Sequence, residues 1–177
     1  TTQAHFLNEA NYLAKKLQKI SKKELGKLMK LSENLSDLNY SRYQDWQEPV
    51  TLNEQAQPAV TVFTGEVYKG LDAASFTDQD FINAQKDLMI LSGLYGILKP
   101  LDLMYPYRLE MGTRWNVTPK TKNLYQYWGA KLAEFINDET KKDEVIVKLA
   151  SNEYFKAVEQ KVLKNRVVTP VFKDLKG

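Results

Sequence analysis

The residues best suited to chemistry lie in a short glycine-rich stretch near the middle of the chain. Gly93 and Gly96 bracket Leu94 and Tyr95, and Lys99 follows shortly after. Glycine takes positive φ at little cost and lets a second backbone come close, so this spacing predicts a tight turn. Backbone N–H groups at such a turn can hold a nucleic-acid phosphate, and a nearby ammonium group strengthens the contact. The stretch therefore predicts a phosphate-binding turn, with a glycine turn between two core helices as the alternative.

Helical patterns flank this turn on both sides. Before it, Thr77 and Asp80 supply an N-cap and a first-turn carboxylate for a helix whose apolar residues fall between Phe81 and Leu91. After it, Pro100 and Asp102 are typical of the first turn of a second short helix. The order of helix, glycine turn, basic residue and helix predicts a helix-hairpin-helix element. Such elements usually carry G-x-G, whereas this chain has G-x-x-G.

Three further groups of polar residues could contact a ligand. Lys69 follows a predicted strand over residues 59–68, at the strand end where open α/β sheets bind ligands. Arg108 and Glu110 lie two residues apart on a predicted short strand. They could form a structural ion pair, a phosphate contact or an acid–base site, in that order of preference. Lys156 faces outward near the end of another predicted strand.

The remaining pattern predicts a mixed α/β fold. Ser21 and Glu24 form a capping box that starts a new helix. Strands alternating with helices imply one compact domain with a mixed sheet flanked by helices. The other predicted helices cover residues 36–46, 124–135 and 152–158, and the other predicted strands cover residues 144–150 and 166–173.

Four lysines recur at intervals of four residues near the start of the chain: Lys15, Lys19, Lys23 and Lys27. On one unbroken helix they would form a stripe, but the cap at Ser21 divides that helix in two. A solvated face is the interpretation that we favour, and a phosphate-binding stripe is the alternative.

The central stretch also resembles a known family. LSGLYGILKPLDLMYPYRLEMG, with FTGEVYKGL before it and LYQYWG and LASNEYFK after it, is similar to the YaaA family of bacterial peroxide stress proteins. The resemblance runs from about Leu17 to Phe172. It implies a cytosolic α/β protein with a positively charged cleft, a helix-hairpin-helix-like element, binding of double-stranded DNA, and protection against hydrogen peroxide linked to lower free iron. It implies no firm enzymatic activity.

This chain differs from the family pattern at both ends. Family members open with a short apolar strand ending in S-P-A-K and close with a basic segment, and neither occurs in residues 1–177. We therefore expect residues 1–177 to be a single domain that forms the body of a longer protein. The sheet should then have an unpaired edge or a vacant central position.

Composition limits the classes of function. With 43% hydrophobic residues the chain can bury one real core, and its apolar runs are too short for a membrane span. The absence of cysteine excludes a disulfide, a thiolate-held zinc and an iron–sulfur cluster within these residues, and the single histidine is His5. We expect a cytoplasmic protein with no cofactor and no metal. The net charge of +3 favours a nucleic-acid partner only weakly, and its excess lies in the last third of the chain.

Binding of double-stranded DNA is the first hypothesis for function. An enzyme acting on nucleic-acid bases or nucleotides, similar to a glycosylase, is the second, since glycine hairpins occur in enzymes that flip a base. Those enzymes carry an aspartate after the hairpin, and residues 115–119 contain none. A protein-interaction module is the third. We assign no catalytic residue, and the oligomeric state does not follow from the sequence. The predicted nucleic-acid contacts are Lys69, Ser92, Gly93, Tyr95, Gly96, Lys99, Arg108 and Lys156.

Overall fold

A computed structural model describes residues 1–173 of the chain. Helices make up most of the regular structure in this range. The helices are α1 (Leu7–Gln18), α2 (Lys22–Met29), α3 (Glu33–Gln44), α4 (Ala59–Val62), α5 (Glu66–Leu71), α6 (Asp78–Asp87), α7 (Leu124–Trp128), α8 (Lys131–Glu139) and α9 (Asn152–Phe155), with a 3-10 turn at Ala73–Ser75.

Short strands form three small sheets. The strands are β1 (Thr2–Gln3), β2 (Gln57–Pro58), β3 (Ile90–Ser92), β4 (Gly96–Leu98), β5 (Asp102–Met104), β6 (Ile146–Val147) and β7 (Val167–Val168). Strand β5 is central in the first sheet, parallel to β1 and antiparallel to β2. Strands β3 and β4 pair antiparallel, and β6 and β7 pair parallel. The predicted mixed α/β fold is confirmed.

Sheet edges are open in the described part of the chain. Among residues 1–173, β1 and β2 each pair on one side only, and so do β6 and β7. An unpaired edge is therefore present. That residues 1–177 form the body of a longer protein stays a prediction.

The core is built around the central stretch of the sequence. Leu94, Tyr95, Ile97 and Leu98 are each at most 1% exposed, and the fully buried Trp128 packs beside them. Their burial removes a large apolar area from water, which is the main favourable term in folding. The stretch that looked most like a binding site is thus the centre of the fold.

Local capping signals place the helix starts correctly. The Ser21 hydroxyl accepts a hydrogen bond from the Glu24 N–H, and the Glu24 carboxylate accepts one from the Ser21 N–H, as in a capping box. Thr77 and Asp80 do the same for α6. Lys30, at φ 53°, ends α2 in the left-handed conformation. The four lysines spaced by four residues are divided between α1, with its C-cap at Lys19, and α2, as the cap at Ser21 predicts.

Two predicted elements have the wrong type. The region predicted as a strand, residues 59–68, forms α4 and the start of α5 instead. Its valines favoured a strand buried on both faces, but Val67 is 74% exposed and only one side of the segment packs, so tertiary context overrides propensity. The helix predicted after Pro100 is strand β5, which β1 and β2 hold between them.

One predicted helix is divided in two, and two predicted strands are shorter than predicted. The helix predicted over 124–135 is divided at Gly129, which has φ 51°, into α7 and α8. The strands predicted over 144–150 and 166–173 are two residues long, as β6 and β7. The short strand predicted around Arg108 has no regular structure.

The Asp102 carboxylate ties β5 to its surroundings. It is 4% exposed and accepts hydrogen bonds from the Thr2 hydroxyl at 2.6 Å and from the Lys99 backbone N–H at 2.8 Å. Burial raises the pKa of Asp102 above its ordinary value, and the two hydrogen bonds oppose that rise. The carboxyl therefore closes the turn between β4 and β5 and fastens β1 beside it.

We expect Asp102→Ala to lower the free energy of unfolding by about 1–3 kcal/mol, because the Lys99 N–H would lose its acceptor. Asp102→Asn should be milder, since its carbonyl can accept from Lys99 while its amide donates to Thr2. The folded-state pKa of Asp102 is raised, so its contribution is complete below the ordinary pKa of 3.8 and declines as pH rises through the folded value. Urea unfolding across pH should show the stability of wild type falling relative to Asp102→Asn. A relative gain with pH would contradict the buried-acid assignment.

Candidate nucleic-acid interface

The glycine-rich stretch forms a β-hairpin. Strands β3 and β4 pair with Ser92 opposite Gly96, and Gly93 to Tyr95 make the turn. Helix α6 ends at Asp87, and Leu88 is already extended with φ −105° and ψ 134°. The predicted helix-hairpin-helix element is therefore wrong for this stretch, because neither flanking segment is helical at the turn.

The turn lies inside the protein. Ser92, Gly93, Tyr95 and Gly96 are all buried. Their polar groups already have partners: the Tyr95 N–H donates to the Ser92 hydroxyl at 2.8 Å, and the Trp128 indole N–H donates to the Gly93 carbonyl at 3.1 Å. A phosphate on an outside ligand has no access to these groups. Ser92, Gly93, Tyr95 and Gly96 therefore present no exposed group to a phosphate.

The two glycines serve packing. A Cβ on Gly93 would lie 2.2 Å from the Leu109 carbonyl oxygen, closer than any real contact. Gly96 has φ 70°, and a Cβ there would lie 2.7 Å from the Trp128 ring. The hairpin can approach its neighbours only because these positions carry no side chain. The alternative interpretation of the turn as a core element is correct, although strands flank it.

Four predicted contacts, on separate elements, keep their charged groups at the surface. Three of them are paired with a carboxylate, which partly neutralises their charge. The pairs are Lys69 with Glu66 at 2.6 Å, Lys99 with Glu139, and Arg108 with Glu110 at 2.6 Å. The ammonium group of Lys156 lies 5.0 Å from the centre of the Tyr125 ring. The preferred interpretation of Arg108 and Glu110 as an ion pair is confirmed.

Tyrosine side chains gather behind Arg108. Tyr107 and Ser92 share a hydrogen bond of 2.5 Å between their hydroxyl oxygens. Burial raises the pKa of Tyr68 to about 12 and also raises the pKa of Tyr107 and Tyr154. All three phenols therefore stay protonated at neutral pH, which suits hydrogen bonding rather than base catalysis.

A group of lysines without ion pairs within residues 1–173 lies on and just after α2. Residues 15–30 contain seven lysines and one glutamate. Lys23 and Lys27 are exposed and fall on one face of α2 by helical spacing, and the exposed Lys30 follows at the C-cap of the helix. They border a surface cavity of about 530 Å³, between α2 and the first turn of α3, that we name the lysine groove. It is lined by Lys22, Lys23, Gly26, Lys27, Lys30, Leu31, Glu33 and Ser36.

Most lysines of the lysine groove lack an ion pair within residues 1–173, whereas Lys99 and Arg108 of the central stretch each have one. Lys22 pairs with Asp37 of α3 at 2.6 Å, and this hydrogen bond raises the pKa of Lys22. Lys23, Lys27 and Lys30 form no ion pair within residues 1–173. Their charges are available to an anionic ligand.

The sequence did contain a signal for this groove. Charge counted over the first 60 residues is nearly balanced, which hides the local density between Lys15 and Lys30. Charge counted over residues 15–30 alone shows this density of lysines. The capping box at Ser21 lies where the sequence predicts it, whereas the groove depends on the packing of α3 against α2, which the local sequence pattern does not show.

Comparison with known proteins decides the family. The sequence profile described as peroxide stress protein YaaA matches residues 1–177. The chain belongs to this family. Membership supports a role in peroxide stress, as the resemblance implied. No helix within residues 1–173 is long and apolar enough to cross a membrane, and no group of three histidine or acidic residues in that range is placed to hold a metal ion.

Curated relatives carry only the name UPF0246 protein. The chain is 50% identical over 178 residues to that of Idiomarina loihiensis, 49% over 178 residues to that of Saccharophagus degradans, and 51% over 175 residues to that of Flavobacterium johnsoniae. In each case 99% of this chain is covered, with 68%, 69% and 69% of the relative. The chain therefore spans about two thirds of the length of these relatives.

Substitution of Gly93 tests its packing role. Gly93→Ala should lower the free energy of unfolding by about 3 kcal/mol, because the added methyl group meets the Leu109 backbone, which cannot rotate away. The matched control is Gly70→Ala in α5, where a Cβ meets nothing within 4 Å. That change should leave stability equal or raise it by up to about 1 kcal/mol. Urea unfolding measures both, and equal effects would contradict the packing role of Gly93.

Proposed function

We propose that this protein binds double-stranded DNA during peroxide stress, through the lysine groove and the neighbouring lysines of α1, and so limits iron-dependent damage. The single observation that carries the proposal is the set of Lys23, Lys27 and Lys30 on and just after α2, which are exposed and form no ion pair within residues 1–173. Membership of a peroxide stress family supports the biological setting. Because DNA is the proposed partner, we propose the cytoplasm as the location of the protein.

The spacing of these lysines suits a polyanion. Lys23 and Lys27 are four residues apart on α2, which is roughly 6 Å along the axis, and Lys30 follows at the C-cap of the helix. Duplex DNA carries about three to four phosphate charges over about 6 Å. Several ammonium groups can therefore neutralise phosphates at once, and the release of condensed counterions favours binding.

Sequence preference should be low. Lysine ammonium groups are compact charges that mainly contact phosphates, which carry no sequence information. The other side chains that line the groove include Leu31, Glu33 and the buried Ser36, none of which is a cation. Binding should therefore depend steeply on salt and little on base sequence.

The exposed cations predicted from the sequence remain candidate secondary contacts. For Lys69, Lys99 and Arg108, a phosphate would have to displace a carboxylate that already neutralises the charge. Lys156 keeps its charge beside the Tyr125 ring and needs no such exchange. We assign these four residues a smaller share of the affinity than the lysines of the groove.

Removing two lysines of the groove should weaken binding. The double variant Lys23→Ala, Lys27→Ala should reduce the slope of log affinity against log salt by about two units, because about two phosphate contacts are lost. Fluorescence anisotropy on two unrelated duplexes across a salt series measures this slope. Lys120→Ala is the control, since Lys120 is exposed, lies outside α1 and α2, and forms no ion pair within residues 1–173. Circular dichroism confirms folding. An unchanged slope in the double variant would remove the groove from the interface.

The central cations give a second comparison. Lys99→Ala and Arg108→Ala should each change the slope by less than one unit, the value expected for a full phosphate contact, because Glu139 and Glu110 compete for these charges. Their single effects should be smaller than that of Lys23→Ala under the same conditions. A larger effect at Lys99 or Arg108 would move the interface to the surface around the central stretch.

A further inference from the structure

Tyr12 and Tyr127 form a stacked pair of tyrosine rings. The rings are parallel within 4°, with their centres 6.1 Å apart. Tyr12 is 43% exposed, and Tyr127 is half-buried beside it. Within residues 1–173 the other tyrosine ring pair is that of Tyr95 and Tyr107, which meet edge to face with Tyr95 fully buried. The pair of Tyr12 and Tyr127 therefore combines parallel rings with access for a small solute.

Hydrogen bonding fixes Tyr127 against α1. The Tyr127 hydroxyl donates to the Glu9 carbonyl at 3.0 Å, and the Lys131 ammonium group pairs with the Glu9 carboxylate at 3.1 Å. Glu9 lies three residues before Tyr12, so the two are neighbours on the helix surface. Helical side chains lean toward the N-terminus of their helix. The hydroxyl end of Tyr127 is thus held at the turn over which the Tyr12 ring leans.

The surroundings of the two rings restrict their movement and their ionisation. The Lys16 ammonium group lies 5.1 Å from the centre of the Tyr12 ring, and that of Lys131 lies 5.4 Å from the centre of the Tyr127 ring. Burial raises the pKa of Tyr127, so its phenol keeps its proton at neutral pH. Oxidation of this phenol therefore removes the proton together with the electron, as a hydrogen atom.

We propose that Tyr12 and Tyr127 are a site of oxidative modification, at which the two rings are joined as dityrosine during exposure to peroxide. The oxidant is the hydroxyl radical, formed from hydrogen peroxide by a reduced metal ion. One such radical takes the phenol hydrogen atom from each tyrosine and leaves as water. The two tyrosyl radicals form a carbon–carbon bond between ring carbons next to the hydroxyls, and the hydrogens of these carbons move to the oxygens. Two phenols and two hydroxyl radicals thereby give one dityrosine and two waters.

The cross-link fastens α1 to α7. It closes the loop of chain from residue 12 to residue 127, which restricts the unfolded chain more than the folded one. Because the two rings are already stacked, the folded state accepts the bond with little rearrangement. Oxidation at this site therefore stabilises the fold. The inference goes beyond the proposed DNA binding and does not depend on it.

The test exposes dilute protein to hydrogen peroxide and ferrous iron and examines trypsin digests by mass spectrometry. Peptide 1–15 contains Tyr12 as its only tyrosine, and peptide 123–131 contains Tyr125 and Tyr127. Wild type should give these two peptides joined, lighter by two hydrogen atoms than their sum, with the blue fluorescence of dityrosine. Unfolding in urea before oxidation should lower the yield by at least about fivefold, because the fold then no longer holds the rings together.

Conservative variants locate the bond. Tyr12→Phe and Tyr127→Phe should each abolish the joined product, whereas Tyr125→Phe, the matched control in the same peptide, should keep the wild-type yield. Oxidised wild type should also unfold at a higher urea concentration than oxidised Tyr12→Phe. Circular dichroism checks the folding of each variant. If Tyr127→Phe does not fold, Tyr12→Phe decides, because Tyr12 is exposed and its ring is retained.

The opposite outcomes overturn the inference. Wild type that yields no joined peptides, or yields them only in a covalent dimer, contradicts a bond within one chain. Persistence of the product in Tyr127→Phe would assign the bond to Tyr125 instead. An equal yield from urea-unfolded protein would show that the fold does not direct the bond. These results leave the proposed DNA binding standing, since its own salt series tests it.

Discussion

The packing of the glycine hairpin against its neighbours constrains the rest of this molecule, because a Cβ at Gly93 would meet the Leu109 carbonyl and a Cβ at Gly96 would meet the Trp128 ring. Because the hairpin can press against its neighbours there, Tyr95 and Trp128 become fully buried and the core forms around them. Protein interiors are packed as densely as organic crystals, so the buried turn of the hairpin leaves no room for a ligand. The glycine turn is thereby withdrawn from solvent, and the DNA binding that we propose rests on the surrounding helices.

Charge is distributed in a way that follows from this withdrawal. Around the core, Lys99 and Arg108 have acidic partners, and such pairs stabilise a fold only modestly but reduce the local field. Within residues 1–173, Lys22 is the lysine of α2 that pairs with α3, through Asp37, and the pair is exposed. Lys23 and Lys27 are left without partners in the described part of the chain. The same residue type is therefore structural at one position and available for binding one residue later.

Local signals made the helix starts predictable, whereas non-local pairing did not follow from the sequence. The caps at Ser21 and Thr77 depend on atoms three residues away, so the pattern suffices. Strand β5 exists because β1 and β2 lie beside it, and no local pattern reports that neighbour. For the candidate site, Arg108 and Glu110 were paired correctly since they are close in sequence. The burial of Ser92 and the lysine groove both depend on how distant segments fold together.

Lys30 contributes charge to the lysine groove but lowers the stability of the fold. It ends α2 in the left-handed conformation, at φ 53°, where glycine is the usual residue and a lysine is less stable by about 1 kcal/mol. A glycine at this position would relieve the backbone but would leave the rim of the groove with one charge fewer. Stability and charge therefore compete at a single residue.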